Sequence, residues 1–253
     1  MLSNEKSYST VGVYLRNLRA IVNIILGDNP QFKKYYPFGS GQLYQIPSSN
    51  KVKKALSVED VKTLYISTPK NIHQQQAKDF WMLSYLCNGM NMSDILRLKF
   101  NDINTEKMKL SFYRNKTVKA NKQSLSKIEI ILNIKILAII EKYRNQDSKR
   151  ENFLFPILEN SDSEENKIKK IESFIRKINQ HLKCLAKEIG ISEEISTYWA
   201  RHSFSTIALN SGVSIELISE SLGHTDIKTT KAYLDGFDDE NKKQLSSIIS
   251  DFL

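Results

Sequence analysis

Between Tyr198 and Tyr233 the chain is punctuated so closely that it reads as a series of short helices. Ser205-Thr206-Ile207-Ala208-Leu209-Asn210 continues an apolar-periodic segment, and Ser211-Gly212-Val213-Ser214 stops it. Ser214 can cap a second helix with Ile215, Leu217, Ile218 and Leu222 on its buried side. Gly223 ends that helix, and Thr225 or Asp226 can start a third, with Tyr233 near its end.

The polar residues in this stretch suit phosphoryl transfer without a metal. Arg201 can hold two phosphate oxygens through its rigid fork. His202 and His224 can move a proton or donate a hydrogen bond. Tyr233 can attack as a covalent nucleophile, and a position near a helix end lets it reach a backbone phosphate. Taken singly, each is an ordinary packing or surface residue type. Their order is the informative feature.

The rest of the chain supplies the scaffold. Residues 7–26 read as an amphipathic helix with Val13, Leu15, Leu18, Ile21, Val22 and Ile25 as the buried stripe and Arg16 and Arg19 beside it. Gly27-Asp28-Asn29-Pro30 stops it, a helical turn follows around Phe32 to Tyr36, and 39–50 is a turn-rich linker leading to Lys51, Lys53 and Lys54. Ser57 caps the next helix, with Asp60 in the capping-box position. A longer helix covers Ile72 to Cys87, Asn88 to Asn91 turn, and Ser93 caps a short helix ending near Leu98. Lys109 to Tyr113 alternates as a strand, with Ser126 to Ile130 as its partner. Arg114 to Lys122 forms a basic hairpin between them. Helices over 131–143 and 166–189 follow, separated by the buried anchor Phe153-Leu154-Phe155-Pro156 and an acidic loop. The 166–189 helix turns Ile171, Phe174, Ile175, Ile178, Leu182 and Leu185 inward. The tail sets Leu245, Ile248, Ile249 and Leu253 at helical spacing. The fold class is mainly α with a small antiparallel β-sheet or hairpin.

Composition agrees with a polyanion partner. Lysine and arginine total 37 against 28 acidic residues, a net charge of +9. Cys87 and Cys184 each sit in an apolar segment and read as buried free thiols, and their spacing from histidines suggests no zinc site. The apolar runs are too short to span a membrane and the first residues lack a signal-peptide core, so a cytoplasmic location is expected.

The segment Thr197-Tyr198-Trp199-Ala200-Arg201-His202-Ser203-Phe204-Ser205-Thr206, then Leu222-Gly223-His224-Thr225, then Thr229-Thr230-Lys231-Ala232-Tyr233, resembles the C-terminal signature of the tyrosine recombinases, the phage integrase family. The first piece looks most like integrases and transposon recombinases of the Bacteroides group. The resemblance implies the DNA breaking–rejoining catalytic-domain fold over 47–253, preceded over 1–46 by the C-terminal remnant of a helical core-binding domain. It also implies a fragment or truncated copy of a longer protein, whose first helix packs loosely.

By the same resemblance, Tyr233 is the nucleophile that forms a 3′-phosphotyrosyl bond. Arg201 clamps the phosphate and His224 hydrogen-bonds it. Lys116 best matches the hairpin general acid. Lys119 and Lys122 share that hairpin and would contact phosphates, as would Lys51, Lys53, Lys54, Arg16 and Arg19. His202 adjoins Arg201 but points about 100° away on a helix, which favours bracing the fold over touching phosphate.

Two departures stand out. Tyr198 occupies the place of a family histidine, and its phenol is a poor base near neutral pH. Asn91 occupies the place of an arginine in a Gly-x-Arg turn, as relatives of the Bacteroides type also tend to lack it. Arg114 is the candidate to supply the missing guanidinium, with Arg97 the weaker one. Asp94 resembles the acidic residue that steadies the site, or is a helix-start charge.

The implied partner is double-stranded DNA at a recombination site. The implied assembly is a homo-tetramer on DNA and a monomer or weak oligomer when free, with the tail docked on a neighbouring protomer or packed on its own. Neither cofactor nor metal is required. Two alternatives stay open: a DNA-binding protein of the same fold with weak or no catalysis, and a type IB topoisomerase-like nicking and rejoining activity.

Overall fold

A computed structural model describes residues 8–39, 42–47, 54–114, 127–224 and 226–231. The chain divides into two compact units, Met1–Lys53 and Lys54–Leu253.

The first unit carries one long helix, α1 (Tyr8–Asp28), and a 3-10 turn over Pro30–Tyr35. The Asn29 side-chain amide donates back to the Ile25 carbonyl at 3.0 Å and closes the helix end. Phe38 is buried between Tyr36 and Tyr44, each ring 5.8 Å away. The expected buried stripe of α1 is not buried: Val13, Leu18, Ile21 and Ile25 are exposed. Among the described residues of this unit, one helix and one short turn offer no second layer to cover such a stripe. Arg16 and Arg19 are exposed on the same helix.

The second unit is built around α3 (Ile72–Leu86). Asn71 caps it, accepting from the amides of His73 and Gln74. Phe80, Trp81 and Leu83 of α3 are buried on several sides at once. Before it lies α2 (Val58–Ile66), where Ser57 accepts from the Asp60 amide at 3.0 Å as the sequence predicts. The buried amine of Lys78 donates to the carbonyls of Tyr65 and Ser67 and ties the end of α2 to α3. After α3 comes α4 (Met92–Ile95). Its cap is Asn91, which accepts from the Ser93 amide at 2.9 Å, rather than Ser93 itself.

Three short strands form an antiparallel sheet in the order β1 (Ile103–Asn104), β2 (Lys109–Tyr113), β3 (Lys127–Ile131). Leu110 faces Ile130 and Phe112 faces Ile128, so the apolar alternation of both long strands falls on one buried side. The two-residue β1 is too short to carry an alternation of its own. Helix α5 (Ile134–Tyr143) starts later than Ile131 because β3 runs through that residue and Asn133 provides the cap. Phe153, Leu154 and Phe155 are buried as expected of an anchor.

The 26-residue α6 (Glu164–Ile189) packs along α3, with Phe174 edge-on to Phe80 at 4.9 Å. It ends at Gly190 in the left-handed conformation. Cys184 lies on the exposed face of this helix, contrary to the reading from its apolar neighbours; Cys87 is buried. The remaining helices among the described residues are α7 (Trp199–Asn210), α8 (Ile215–Ser221) and α9 (Ile227–Lys231). Ser214 caps α8 as predicted, but Leu217 is exposed. Of its apolar residues only Ile218 and Leu222, four residues apart, are buried, beside Ser219. No described helix is long and apolar enough to cross a membrane.

Candidate active site

The site begins where α3 ends. Asn88 and Gly89 both take positive φ, 56° and 66°, and reverse the chain in two residues. The Met90 amide closes the turn on the Ser84 and Cys87 carbonyls, and the Ser84 hydroxyl donates to the Met90 carbonyl at 2.6 Å. This leaves the Gly89 carbonyl aimed at α7. A Cβ at Gly89 would lie 2.8 Å from the Arg201 Cα, so only glycine lets the two backbones approach this closely.

Arg201 enters from the first turns of α7 and is only 3% exposed. Its Nη1 donates to the Gly89 carbonyl at 3.0 Å and its Nη2 to the Leu222 carbonyl at 2.6 Å. Nη2 also lies 2.9 Å from His224 Nε2, and His224 Nδ1 lies 2.9 Å from the hydroxyl of the fully buried Thr230. His224 is held where it is by the C-terminal turn of α8. There the amides of Gly223 and His224 donate to the Glu220 and Ser219 carbonyls, with Gly223 at φ 63°. A side chain at Gly223 would collide with Ile128 and crowd the Arg114 Cδ. Ser203 and Ser205 of α7 donate back to the Trp199 and Arg201 carbonyls, and Ser203 also accepts from the Leu56 amide at 2.8 Å.

Arg114 follows the last residue of β2. Its Nη1 donates to the Gly223 carbonyl at 3.3 Å, and its Nε lies 3.8 Å from Asp94 Oδ2. Arg114, Arg201, Asp94 and Asn91 line one void too narrow for a water. Among these described residues two guanidiniums stand against one carboxylate, which leaves the spot cationic where little water screens it. Asn91 contributes no charge, and its amide oxygen is committed to capping α4.

The other candidates fall elsewhere. Arg97 pairs with Glu164 at 3.2 Å, which directs it toward the start of α6. Tyr198, 42% exposed, stacks edge-on against the half-buried His202 at 4.8 Å; the two rings brace the start of α7. Lys54 is exposed beside the buried Leu56. Tyr233, Lys116, Lys119, Lys122, Lys51 and Lys53 lie outside the described residues, as does the tail from Asp239 to Leu253. Thr230 and the carbonyls of Gly89 and Leu222 were not singled out from the sequence. The only signal for Thr230 is its place in the Thr229–Tyr233 motif, and a carbonyl has no signal at all.

The family model described as Phage integrase family matches residues 54–240. "Tyrosine recombinase XerD" of Listeria innocua is 26% identical over 241 residues, 90% of this chain and 72% of that protein. The protein of the same name from Rickettsia bellii is 30% identical over 193 residues, 73% of this chain and 60% of its own length. Among solved structures, the Tn1549 transposon integrase in complex with transposon right-end DNA aligns over 97% of this chain and 80% of its own, at TM-score 0.64 and 16% identity. XerH bound to palindromic difH substrate in a post-cleavage complex aligns over 82% of this chain and 55% of its own, at TM-score 0.55 and 16% identity. The mainly helical fold with its three-stranded antiparallel sheet is that of the tyrosine recombinase catalytic domain. The chain belongs to the phage integrase family, the tyrosine recombinases.

Proposed function

We propose that this chain is a site-specific DNA recombinase that cuts and rejoins strands through a 3′-phosphotyrosyl link on Tyr233. The observation that carries the reading is the gathering of Arg114, Arg201 and His224 around the Leu222–Gly223 turn. A scissile phosphate placed there would draw the Arg201 fork away from the Leu222 carbonyl and His224 and onto its oxygens. Arg114 would stand in for the arginine absent at Asn91. Together the two guanidiniums would favour the charge that builds on the equatorial oxygens in the transition state. Tyr233 gives up its phenolic proton to water as its oxygen bonds to phosphorus. The 5′-oxygen departs with a proton from Lys116. Side chains thus supply the positive charge, and the covalent link conserves the bond energy, so the scheme needs neither metal nor nucleotide.

The partner in this reading is duplex DNA, and strand exchange takes place within a tetramer. Two DNA-bound family structures, the Tn1549 integrase and XerH, support that partner. Lys54, Arg16 and Arg19 are exposed and free to meet phosphates, and the net charge of +9 gives steep salt dependence. The Bacteroides-group likeness of the Thr197–Thr206 segment, with the uncharged Asn91, favours the recombinase of a mobile element acting in the cytoplasm. Residues 1–46 are read as core-binding domain plus linker, and 47–253 as the catalytic domain. One observation favours a second reading, DNA binding with little catalysis: Asn91 and Tyr198 remove a charge and a base that the family usually carries.

A nicked suicide duplex bearing the end of the element that encodes the chain tests this. The unaltered chain is expected to form a covalent protein–DNA band. Tyr233→Phe abolishes the band, Arg114→Ala strongly reduces it, and Arg114→Lys restores part of it. A band that survives Tyr233→Phe refutes the nucleophile, and an undiminished band in Arg114→Ala refutes the substitution for Asn91. No band from any form supports the second reading.

A further inference from the structure

The hydrogen bonds around His224 dictate more than its position. An arginine only donates, so the Arg201 Nη2 contact at 2.9 Å requires Nε2 of His224 to be an acceptor. The ring is therefore neutral with its proton on Nδ1, and that proton points at the Thr230 hydroxyl 2.9 Å away. Thr230 is fully buried on α9, the helix that leads into the segment holding Tyr233. A hydroxyl both donates and accepts. It can receive the Nδ1 proton when Nε2 faces Arg201. It can equally donate to a bare Nδ1 when Nε2 carries the proton and faces a phosphate oxygen.

We propose that Thr230 is a positioning residue that holds the orientation of the His224 imidazole and supports both of its tautomers during the reaction. In the free protein Nε2 accepts from Arg201. When phosphate takes the Arg201 fork, the Nδ1 proton passes to water and Nε2 gains one from water. The hydroxyl of Thr230 then turns to donate to Nδ1. The ring stays neutral throughout, with no net gain or loss of protons. No other side chain of similar size could replace the hydroxyl: valine keeps the shape and offers no partner to either tautomer. The same bond links α9 to the histidine that would face phosphate. The catalytic part of this inference rests on the recombinase reading above; the hydrogen bond does not.

The test compares the full chain with Thr230→Val and Thr230→Ser. The chain has four histidines, so long-range proton–nitrogen NMR resolves each imidazole, and His224→Gln identifies the signal. His224 is expected as the Nδ1–H tautomer in all three forms, because Arg201 still donates to Nε2, but with the Nδ1 proton held against exchange with water only in the unaltered chain and in Thr230→Ser. Covalent DNA product should form about 10-fold more slowly in Thr230→Val, the scale of losing one buried hydrogen bond. Thr230→Ser should restore most of the rate. Packing would predict the opposite order, because serine loses the methyl group and valine keeps it. The proposal is overturned if His224 is Nε2–H in the unaltered free chain, if its Nδ1 proton exchanges as slowly in Thr230→Val as in the unaltered chain, or if serine is as slow as valine. If no DNA yields a covalent product, the NMR comparison still decides the hydrogen bond, and only the recombinase reading is lost.

Discussion

Gly89→Ala should be among the most damaging small substitutions in this protein, and its cost can be worked from two separable parts. The residue sits at φ +66°, where an L side chain costs about 1–2 kcal/mol. Its Cβ would also lie 2.8 Å from the Arg201 Cα, a backbone atom that no rotamer change can move. Overpacking of that kind adds about 1–3 kcal/mol. The sum is about 2–5 kcal/mol, or a fall in Tm of about 4–20 °C for a domain of this size. Gly190→Ala is the control. Its φ of +75° carries the first cost, but nothing lies within 4 Å of a Cβ there. Urea unfolding followed by circular dichroism should place the Gly89 variant well below the Gly190 variant. The Gly89 variant should also lose DNA cleavage under conditions where it remains folded, because its carbonyl holds Arg201 Nη1. Equal midpoints for the two variants would refute the close approach of the α3 turn and α7, and with it the account of how Arg201 is placed.

Ser203→Ala should cost about 1–3 kcal/mol in urea unfolding, because it strands the buried Leu56 amide that Ser203 satisfies at 2.8 Å. Ser205→Ala, which loses only a bond back to its own helix, should cost clearly less. A maleimide reagent at neutral pH should label Cys184 quickly and Cys87 only after unfolding, since Cys184 is exposed while burial pushes the Cys87 thiol up to about 12. Equal labelling of both in the native state would contradict the core. His181 has its pKa pulled below the usual 6.5, first by burial and then by the neighbouring charges of His73 and Lys177. The unfolded chain then binds more protons below about pH 6.5, so stability falls as pH drops through that value. His181→Gln should flatten this acid-side loss between pH 7.5 and pH 5, measured as urea midpoints (about two points suffice to show the slope).

The sequence carried the helices and their ends well. Ser57 and Ser214 cap where their positions before apolar-periodic runs predict. The alternation of Lys109 to Tyr113 meets that of its partner in register on one buried side. These features depend on residues within about four positions of one another, which local patterning records. Local patterning failed where a second layer decides burial. The apolar stripe of α1 is exposed, Leu217 faces outward, and Cys184 is on the open side of α6. Periodicity shows that a face is apolar without showing what covers it.

By itself, the sequence determined the family signature, the helical punctuation, the basic charge and the identity of the chemistry-bearing side chains. Only the tertiary structure decided which of them meet. It set Arg114 against Asp94 and the Gly223 carbonyl, sent Arg97 to Glu164, and gave Asn91 a capping role. It also revealed Thr230 behind His224 and the carbonyls of Gly89 and Leu222 in front of Arg201. The physical reason is the same in each case. A hydrogen bond or ion pair is made at about 3 Å between groups that a turn, a sheet edge and a helix end must first bring together. The chain separation of those groups, 112 residues for Gly89 and Arg201, leaves no periodicity from which the meeting can be read.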